Sequence, residues 1–226
     1  MLTETPKENS FQNFMQTTML SQPTGLNERP FSVCFSAADA IDRMEPEQFI
    51  RQVFKQTHGA DIKRFMPYLM SLRDHDNKLV AVCGLRSIAN EAPFLEIYLD
   101  QPVERVLSEH AGSQIKRNEI VEVGNFSVAE LGMARYLITA INDQLYETSK
   151  QWAVFTAVPV LRNAFIKLGM HPEILGSAHK SRLPIDQQKE WGSYYDQQPQ
   201  VMAIRRIERR IEPRILESTA DAGTIA

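Results

Sequence analysis

The stretch IVEVGNFSV (120–128), followed directly by AELGMARYLITAINDQLYETS (129–149), decides the fold of this chain. The first part has strong β-formers at both ends and predicts a strand. The second part predicts a helix from about Glu130 to Ser149, because its apolar residues recur at helical spacing. Gly132 and Ala134 are small enough for a phosphate to approach the free backbone N–H groups at the helix start. Close packing of the helix on the sheet explains Gly132 equally well.

Segments on both sides extend this unit into a sheet. Asp76-Asn77 predicts a hairpin turn. Helical patterns begin at Asp39 or Asp42, where Pro46 is expected to divide the helix into two pieces, and again at Gln101 and Pro159. Further strands are predicted at PFSVCFS (30–36), PYLMSLRD (67–74), KLVAVCGLRS (78–87), PFLEIYL (93–99), WAVFTAV (152–158), MHPEIL (170–175) and VMAIRRI (201–207). This order predicts an α+β domain with a mixed, mostly antiparallel central sheet and helices on both faces.

Composition limits the classes of protein to which the chain can belong. Its 226 residues carry 25 basic and 28 acidic side chains, a net charge of −3, and 43% are hydrophobic. The chain is therefore too apolar to be disordered and lacks the positive charge of an extended nucleic-acid binder. Cys34 and Cys83 lie in apolar segments and are expected to be reduced, buried thiols. No signal-peptide or membrane-helix pattern occurs, so we expect a cytoplasmic protein without a transmembrane segment.

The polarity of the two ends predicts the domain organisation. We expect an N-terminal arm at residues 1–29 and a folded domain at residues 30–207. We expect a solvated C-terminal tail at residues 208–226. Phe11 and Phe14 in the arm are expected to dock on the body or on a second subunit, which leaves a homodimer open.

Several catalytic signatures do not occur in the sequence. The five histidines are scattered and no CxxC pair exists, so no metal site is expected. There is also no GxSxG elbow, P-loop or GxGxxG turn.

The combination of segments resembles a known superfamily. A strand, a helix opening with Gly132-Met133-Ala134, a buried strand and a helix ending Lys167-Leu168-Gly169-Met170 resemble the acyl-CoA N-acyltransferase (GNAT-like) enzymes. More closely, the chain resembles the thermostable hemolysin family, and its strand 120–128 is similar to that of autoinducer synthases and acyl-amino-acid synthases. The matching stretches are LVAVCGLRS (79–87), FLEIYLDQPVE (94–104), IVEVGNFSV (120–128), WAVFTAVPVLRNAFIKLGM (152–170) and WGSYYDQQPQVMA (191–203).

The resemblance implies an N-acyltransferase whose donor, an acyl thioester, lies in a gap between strand 120–128 and the strand that follows. The donor's phosphates would then rest on the helix N-terminus. Donor-binding residues implied in this way are Phe126, Ser127, Val128, Gly132, Met133, Ala134, Arg135 and Asn163. Backbone N–H groups near Phe126 to Val128 would polarise the thioester carbonyl.

Four departures from the family pattern bear on the donor and the chemistry. Ala129 stands where acetyltransferases carry Arg or Gln, and the connection from Val128 to Gly132 is short. Both features favour the phosphopantetheine of an acyl carrier protein over coenzyme A. Phe165 stands where a tyrosine often protonates the leaving thiolate, and Asn125 where acyl-amine enzymes often carry Arg.

The acceptor is expected to be the amine of a small molecule such as an amino acid. Glu122, a charged residue between valines, is either the general base or the ion-pair partner of Arg86. Arg86 either binds an acceptor carboxylate or forms that salt bridge. Glu96, Tyr98 and Asp100 alternate with apolar residues and share one face of their predicted strand, so they either hold the amine or face solvent. Three aromatic residues either wall the pocket or pin their loop to the core: Trp191, Tyr194 and Tyr195.

Two other functions stay open at this point. The family name suggests a membrane-acting haemolysin, for which the apolar residues within 1–29 would be the candidate segment. A non-catalytic protein that binds an acyl ligand is the other alternative, because Ala129 and Phe165 weaken the catalytic pattern.

Overall fold

The computed structural model describes residues 31–207, so the predicted arm 1–29 and tail 208–226 lie outside the described residues. The described part contains seven strands: β1 Ser32–Ala37, β2 Tyr68–Arg73, β3 Leu79–Ser87, β4 Ile120–Val128, β5 Trp152–Ala157, β6 Glu173–Ser177 and β7 Gln200–Arg205. Its α-helices are α1 Met44–His58, α2 Val103–Ala111, α3 Ala134–Glu147, α4 Pro159–Lys167 and the short α5 Ile185–Gln188. No helix within this range is long and apolar enough to span a bilayer.

The strands form a single sheet in the order β1-β2-β3-β4-β5-β7-β6. Strands β4 and β5 run parallel, and each other neighbouring pair in this sheet is antiparallel. Helix α3 makes the crossover that a parallel pair requires. The predicted mixed, mostly antiparallel sheet is therefore confirmed.

Helices cover both faces of the sheet, as predicted. Apolar side chains of α3 and α4 pack on one face, which we call the α3/α4 face. Residues of α1, α2 and the segment 185–198 pack on the other, the α1/α2 face. Because β5 is buried on both sides, its sequence is apolar without alternation.

Several predicted elements differ in detail. Pro46 does not divide a helix: it is the third residue of α1, where a missing N–H leaves no helical hydrogen bond unmade. The turn before α1 is a short 3-10 helix, Ile41–Arg43. Both cysteines are free thiols, but Cys34 is only half-buried whereas Cys83 is buried.

The strand predicted at 93–99 is wrong. Residues Phe94–Tyr98 form a 3-10 helix preceded by Pro93. Its first two backbone N–H groups donate to the Glu122 carboxylate, at 3.1 Å from Phe94 and 2.9 Å from Leu95. This contact comes from a strand 27 residues away along the chain, so the local alternation of polar and apolar residues could not reveal it.

Candidate functional site

Strands β4 and β5 separate along the second half of β4. Their pairing runs from Ile120 opposite Trp152 to Val123 opposite Phe155 and then stops. Beyond that point β4 stays paired with β3, and β5 stays paired with β7. A wedge therefore opens between residues 124–128 and 156–157, with its apex at Val123 and Phe155. The predicted gap between these two strands is confirmed.

A β-bulge in β4 lies just beyond this apex. Gly84 pairs with Gly124 but Val82 pairs with Ser127, so β4 contains one residue more than β3 over this interval. Asn125 has a φ of 50°, and its side-chain oxygen accepts the Met66 N–H at 3.0 Å. Bulges bend the strand that contains them, which accounts for the departure of β4 from β5.

The bulge also changes which side chains face each helix layer. Val123 and Phe126, three residues apart, both contact the α3/α4 cluster, which a regular strand would not allow. Sequence reasoning did not find the bulge. The Gly124-Asn125 pair inside a strand pattern was the available signal.

The helix predicted to hold the donor's phosphates begins at the wide end of the wedge. A 3-10 turn, Leu131–Met133, leads into α3. The Met133 and Ala134 N–H groups donate to the Glu130 and Leu131 carbonyls, so only the N–H groups before them have no partner inside the helix. A Cβ placed on Gly132 would meet nothing within 4 Å, so the alternative that Gly132 allows close packing is wrong. Ala134 is buried.

Side chains around this helix start supply little positive charge. Glu130 and Leu131 are exposed, and Ala129 donates its N–H to the Val80 carbonyl at 2.9 Å. The Arg135 guanidinium lies over the Tyr136 ring, 4.5 Å from its centroid, and donates to the Tyr136 hydroxyl at 2.7 Å. Arg135 is thus engaged with its neighbour on the helix.

Glu122 is buried on the α1/α2 face, opposite Val154 and one register step before the apex. Besides the two N–H groups of the 3-10 helix, its carboxylate faces Arg86, with Nε at 3.7 Å from Oε2. Burial raises the pKa of the Glu122 carboxyl, and the Leu95 N–H and the Arg86 guanidinium oppose that rise. The ion pair expected as one alternative for Glu122 and Arg86 is therefore present.

Three tyrosine side chains pack on the same face. The Tyr98 and Tyr195 hydroxyls are hydrogen-bonded to each other, and Tyr194 donates to the Thr156 carbonyl at 3.3 Å. Thr156 is the first residue of β5 beyond its pairing with β4, so this hydroxyl lies beside the wedge. Burial raises the pKa of Tyr98 to about 12, so the side chain is a neutral hydrogen-bonding group at pH 7.

Trp191 lies in the same aromatic cluster, with its ring centroid 6.1 Å from that of Phe94 and 5.4 Å from that of Tyr194. Tyr194 and Tyr195 are buried. These residues therefore hold the segment 185–198 against the core, and the same packing brings them next to Tyr98 and the wedge. The interpretation that these aromatics pin their loop to the core is therefore confirmed, and their role as a pocket wall stays a prediction.

Glu96 does not share a face with Tyr98, because residues 94–98 are helical. Its carboxylate accepts the Val103 N–H at the start of α2, at 2.9 Å, and pairs with Arg117 at 2.7 Å. Asp100 pairs instead with Arg182. The predicted common face of Glu96, Tyr98 and Asp100 is therefore wrong, and Glu96 has structural partners.

Two residues of α4 were also considered in the sequence analysis, Asn163 as a donor contact and Phe165 as a departure from the family pattern. Asn163 is exposed. Phe165 is buried and stacks on Phe155, with ring centroids 4.9 Å apart. The apex of the wedge is thereby backed by two stacked rings on the α3/α4 face.

Comparison with solved structures defines the class of fold. The AHL synthase LasI matches with a TM-score of 0.51 at 14% identity, over 78% of this chain and 90% of that chain. TofI in an apo form matches with a TM-score of 0.53 at 11% identity, over 78% and 91%. TofI in a ternary complex with an inhibitor and MTA matches with a TM-score of 0.51 at 12% identity, over 78% of this chain and 92% of that chain. This is the acyl-CoA N-acyltransferase-like fold.

The chain belongs to the thermostable hemolysin family, whose model matches residues 36–209. No curated protein sequence matches it.

Proposed function

We propose that this protein is an N-acyltransferase, which moves an acyl group from a thioester to the amine of a small molecule. The observation that carries the proposal is the wedge between β4 and β5, with a bulge at its apex and a helix N-terminus at its wide end. Unpaired backbone along the wedge suits the amides of a pantetheine arm, which add to the edges as a strand would. Phe126 and Val128 would contribute backbone N–H groups to the thioester carbonyl. The Ser127 N–H lies on the β3 side, as the Ala129 N–H does, because successive N–H groups of a strand point to opposite edges.

The reaction needs proximity and proton transfer rather than a covalent intermediate on the protein. The amine nitrogen attacks the thioester carbon, an N–C bond forms and the C–S bond breaks. The amine loses a proton and the thiolate leaves. We assign proton acceptance to Glu122, which burial makes a stronger base than an exposed carboxylate. Phe165 has no proton to give, so the thiolate is protonated by another group or by water.

Arg86 and Tyr98 both interact with Glu122 and have side chains that suit an acceptor. Arg86 pairs with Glu122 and its side chain is 22% exposed, so it is accessible to an acceptor carboxylate. Trp191, Tyr194 and Tyr195 would form the aromatic wall of this acceptor site. We leave Glu96 out of the proposed mechanism, because Arg117 and the start of α2 engage it.

The charge at the helix start favours a donor attached to an acyl carrier protein over coenzyme A. A carrier-bound phosphopantetheine presents one phosphodiester, whereas coenzyme A presents a pyrophosphate and a further phosphate. Exposed Glu130 opposes added negative charge, and Arg135 is turned onto Tyr136. Gly132 would then hold the single phosphate through its backbone N–H, since the Met133 and Ala134 N–H groups donate to the Glu130 and Leu131 carbonyls. Asn163 would lie near the arm. Use of this donor places the reaction in the cytoplasm.

Mass spectrometry of lipid extracts tests the proposal. Cells expressing the full chain are expected to accumulate an acylated amine, whose mass names both halves of the reaction. Cells expressing Glu122→Gln are expected to accumulate much less, and cells expressing the exposed-site control Glu109→Gln the same amount as the wild type. With purified protein and a panel of amines, we expect equal rates of thiol release from acyl carrier protein for the wild type and Glu109→Gln. We expect a much lower rate for Glu122→Gln.

The outcomes separate the alternatives. Acyl-ligand binding without thiol release for any amine would mean a non-catalytic binding protein. Leakage of liposomes by the full chain, lost on removal of residues 1–29, would support the membrane-acting alternative; those residues lie outside the described part of the chain. An unchanged rate in Glu122→Gln would remove Glu122 from the mechanism.

A further inference from the structure

The apex of the wedge limits where an acyl group can go. Below it, β4 and β5 are paired from Val123–Phe155 down to Ile120–Trp152. An acyl group carried to the apex therefore cannot continue in the plane of the sheet, and it has to turn toward one of the two faces.

The α3/α4 face is closed at this point. Phe155 and Phe165 stack with an interplanar angle of 18°, and both are buried, as is Val123 beside them. Displacing two packed aromatic rings would sacrifice core packing on that face.

The α1/α2 face is built differently, because two glycines lie opposite each other there. Gly84 of β3 and Gly124 of β4 are cross-strand partners, and Gly124 is the first residue of β4 past the apex. The space that their side chains would fill is taken by Met66. A Cβ on Gly84 would lie 2.4 Å from Met66 Cβ, and one on Gly124 would lie 2.4 Å from Met66 Cε.

The backbone of Met66 is held firmly while its side chain ends on the bare backbone of Gly124. Its N–H donates to Asn125, and its carbonyl accepts from the buried Arg43 guanidinium. Methionine is unbranched and flexible, so its thioether end can yield to a ligand while the backbone stays in place. The pair Arg86–Glu122 lies two register steps further along the strands, on the same face.

From this arrangement we propose that Met66 sets the size of the acyl group that the site accepts. The inference rests on the proposed function, since it takes the wedge to be the thioester site. The acyl group turns onto the α1/α2 face at Gly124 and meets the Met66 side chain. The longest acyl chain that binds is therefore set by the space that the Met66 side chain leaves unfilled.

The test is binding of unreactive acyl-pantetheine thioether analogues, with chains of two to about twelve carbons, to the full chain by calorimetry. Met66→Ala removes three heavy atoms beyond Cβ. Each further CH₂ that becomes buried is expected to tighten binding roughly fourfold, from about 0.8 kcal/mol per CH₂. The preferred chain should therefore lengthen by about three carbons, with a gain of roughly fiftyfold for the longer analogues relative to the shortest.

Gly124→Ala supplies the opposite change. Its added methyl displaces the flexible end of Met66 toward the wedge, so the preferred chain should shorten. Because this variant keeps Met66, it tests the inference even if Met66→Ala does not fold. Met44→Ala, at an exposed methionine, is the control and should keep the wild-type preference.

An unchanged chain-length preference in the Met66 and Gly124 variants would overturn the role of Met66 while leaving the proposed function in place. Absence of binding by the wild-type protein at every chain length would overturn the proposed function, and this inference with it.

Discussion

Glu122 shows how a single buried carboxylate can serve both structure and chemistry. Its oxygens accept two backbone N–H groups at the start of a 3-10 helix, and Arg86 lies alongside. These partners make burial of the charge tolerable. Desolvation still outweighs them, so the pKa of this carboxyl stays above its ordinary value.

This shift predicts a pH dependence of stability. Because the native state holds the Glu122 proton more tightly than the unfolded state, the carboxyl's contribution to the free energy of unfolding is fully present below the unfolded pKa of about 4.3. It is lost as the pH rises through the native pKa. Glutamine does not titrate, so the wild-type free energy of unfolding minus that of Glu122→Gln should fall as the pH rises above about 4.

Urea denaturation of both proteins between about pH 4 and pH 8 measures this difference, and the contributions of other groups cancel in it. The same difference in the free energy of unfolding, taken between the wild type and Glu109→Gln, serves as the control. If the free energy of unfolding of the wild type minus that of Glu122→Gln stays constant or rises with pH, the raised pKa of Glu122 is contradicted.

The two cross-strand glycines predict unequal costs for the same substitution. Gly84→Ala places a methyl against Met66 Cβ, which is fixed by the backbone, and should lower the free energy of unfolding by about 1–3 kcal/mol. Gly124→Ala meets the flexible end of the same side chain and should cost less. Denaturant midpoints at constant m-value measure both. Equal losses, or a larger loss at Gly124, would show that Met66 does not lie as described.

At the scale of elements, the segment 185–198 is joined to α1 through Gly192. Gly192 has a φ of 50°, and a Cβ there would lie 2.0 Å from the His58 carbonyl oxygen at the end of α1. Ser193 donates its N–H to that same carbonyl at 2.8 Å. The aromatic cluster beside the wedge therefore depends on a position that tolerates only glycine.

Gly192→Ala should displace this segment and lower the free energy of unfolding by about 2–4 kcal/mol, because both the backbone strain and the clash act there. We expect a red shift of Trp191 fluorescence and faster tryptic cleavage after Lys189. Gly132→Ala is the matched control: its Cβ would meet open space, and neither change is expected. Native-like fluorescence and cleavage in Gly192→Ala would show that the segment is held by other contacts.

The β4 bulge was the element that local sequence patterns described least well. The strand itself, the helix that follows and the hairpin before it were predictable, because each has a periodicity or turn pair within a few residues. The bulge depends on Asn125 meeting the Met66 N–H, a partner 59 residues away along the chain. The same reasoning applies to residues 94–98, whose helical form depends on Glu122.

At the scale of the whole domain, the sheet within residues 31–207 has one parallel pair of strands, and that pair separates beyond Val123 and Phe155. A ligand seated there would contact β4, β5 and the start of α3 together. It should therefore stabilise the entire domain and not one element alone.

Thermal unfolding tests this expectation and the donor assignment together. A phosphorylated acyl-pantetheine at about one hundred times its Kd adds about 2.7 kcal/mol to the native state. For a domain of this size that corresponds to a rise in Tm of about 5–11 °C. At equal concentration, the matched acyl-CoA should raise Tm less, because its additional phosphates lie near Glu130.

A larger rise with acyl-CoA would contradict the preference for a carrier-bound donor. No rise with either compound would contradict the assignment of the wedge as a thioester site.

The sequence by itself determined the α+β class and most element positions, whereas the site residues that it suggested stay predictions. It could do so because hydrophobic periodicity and turn chemistry act over short distances along the chain. Tertiary structure alone decided where β4 leaves β5, which face each residue after the bulge occupies, and that Glu96 and Glu122 bind different helix starts. These features depend on hydrogen bonds and packing between residues far apart in the chain, whose partners no local pattern specifies.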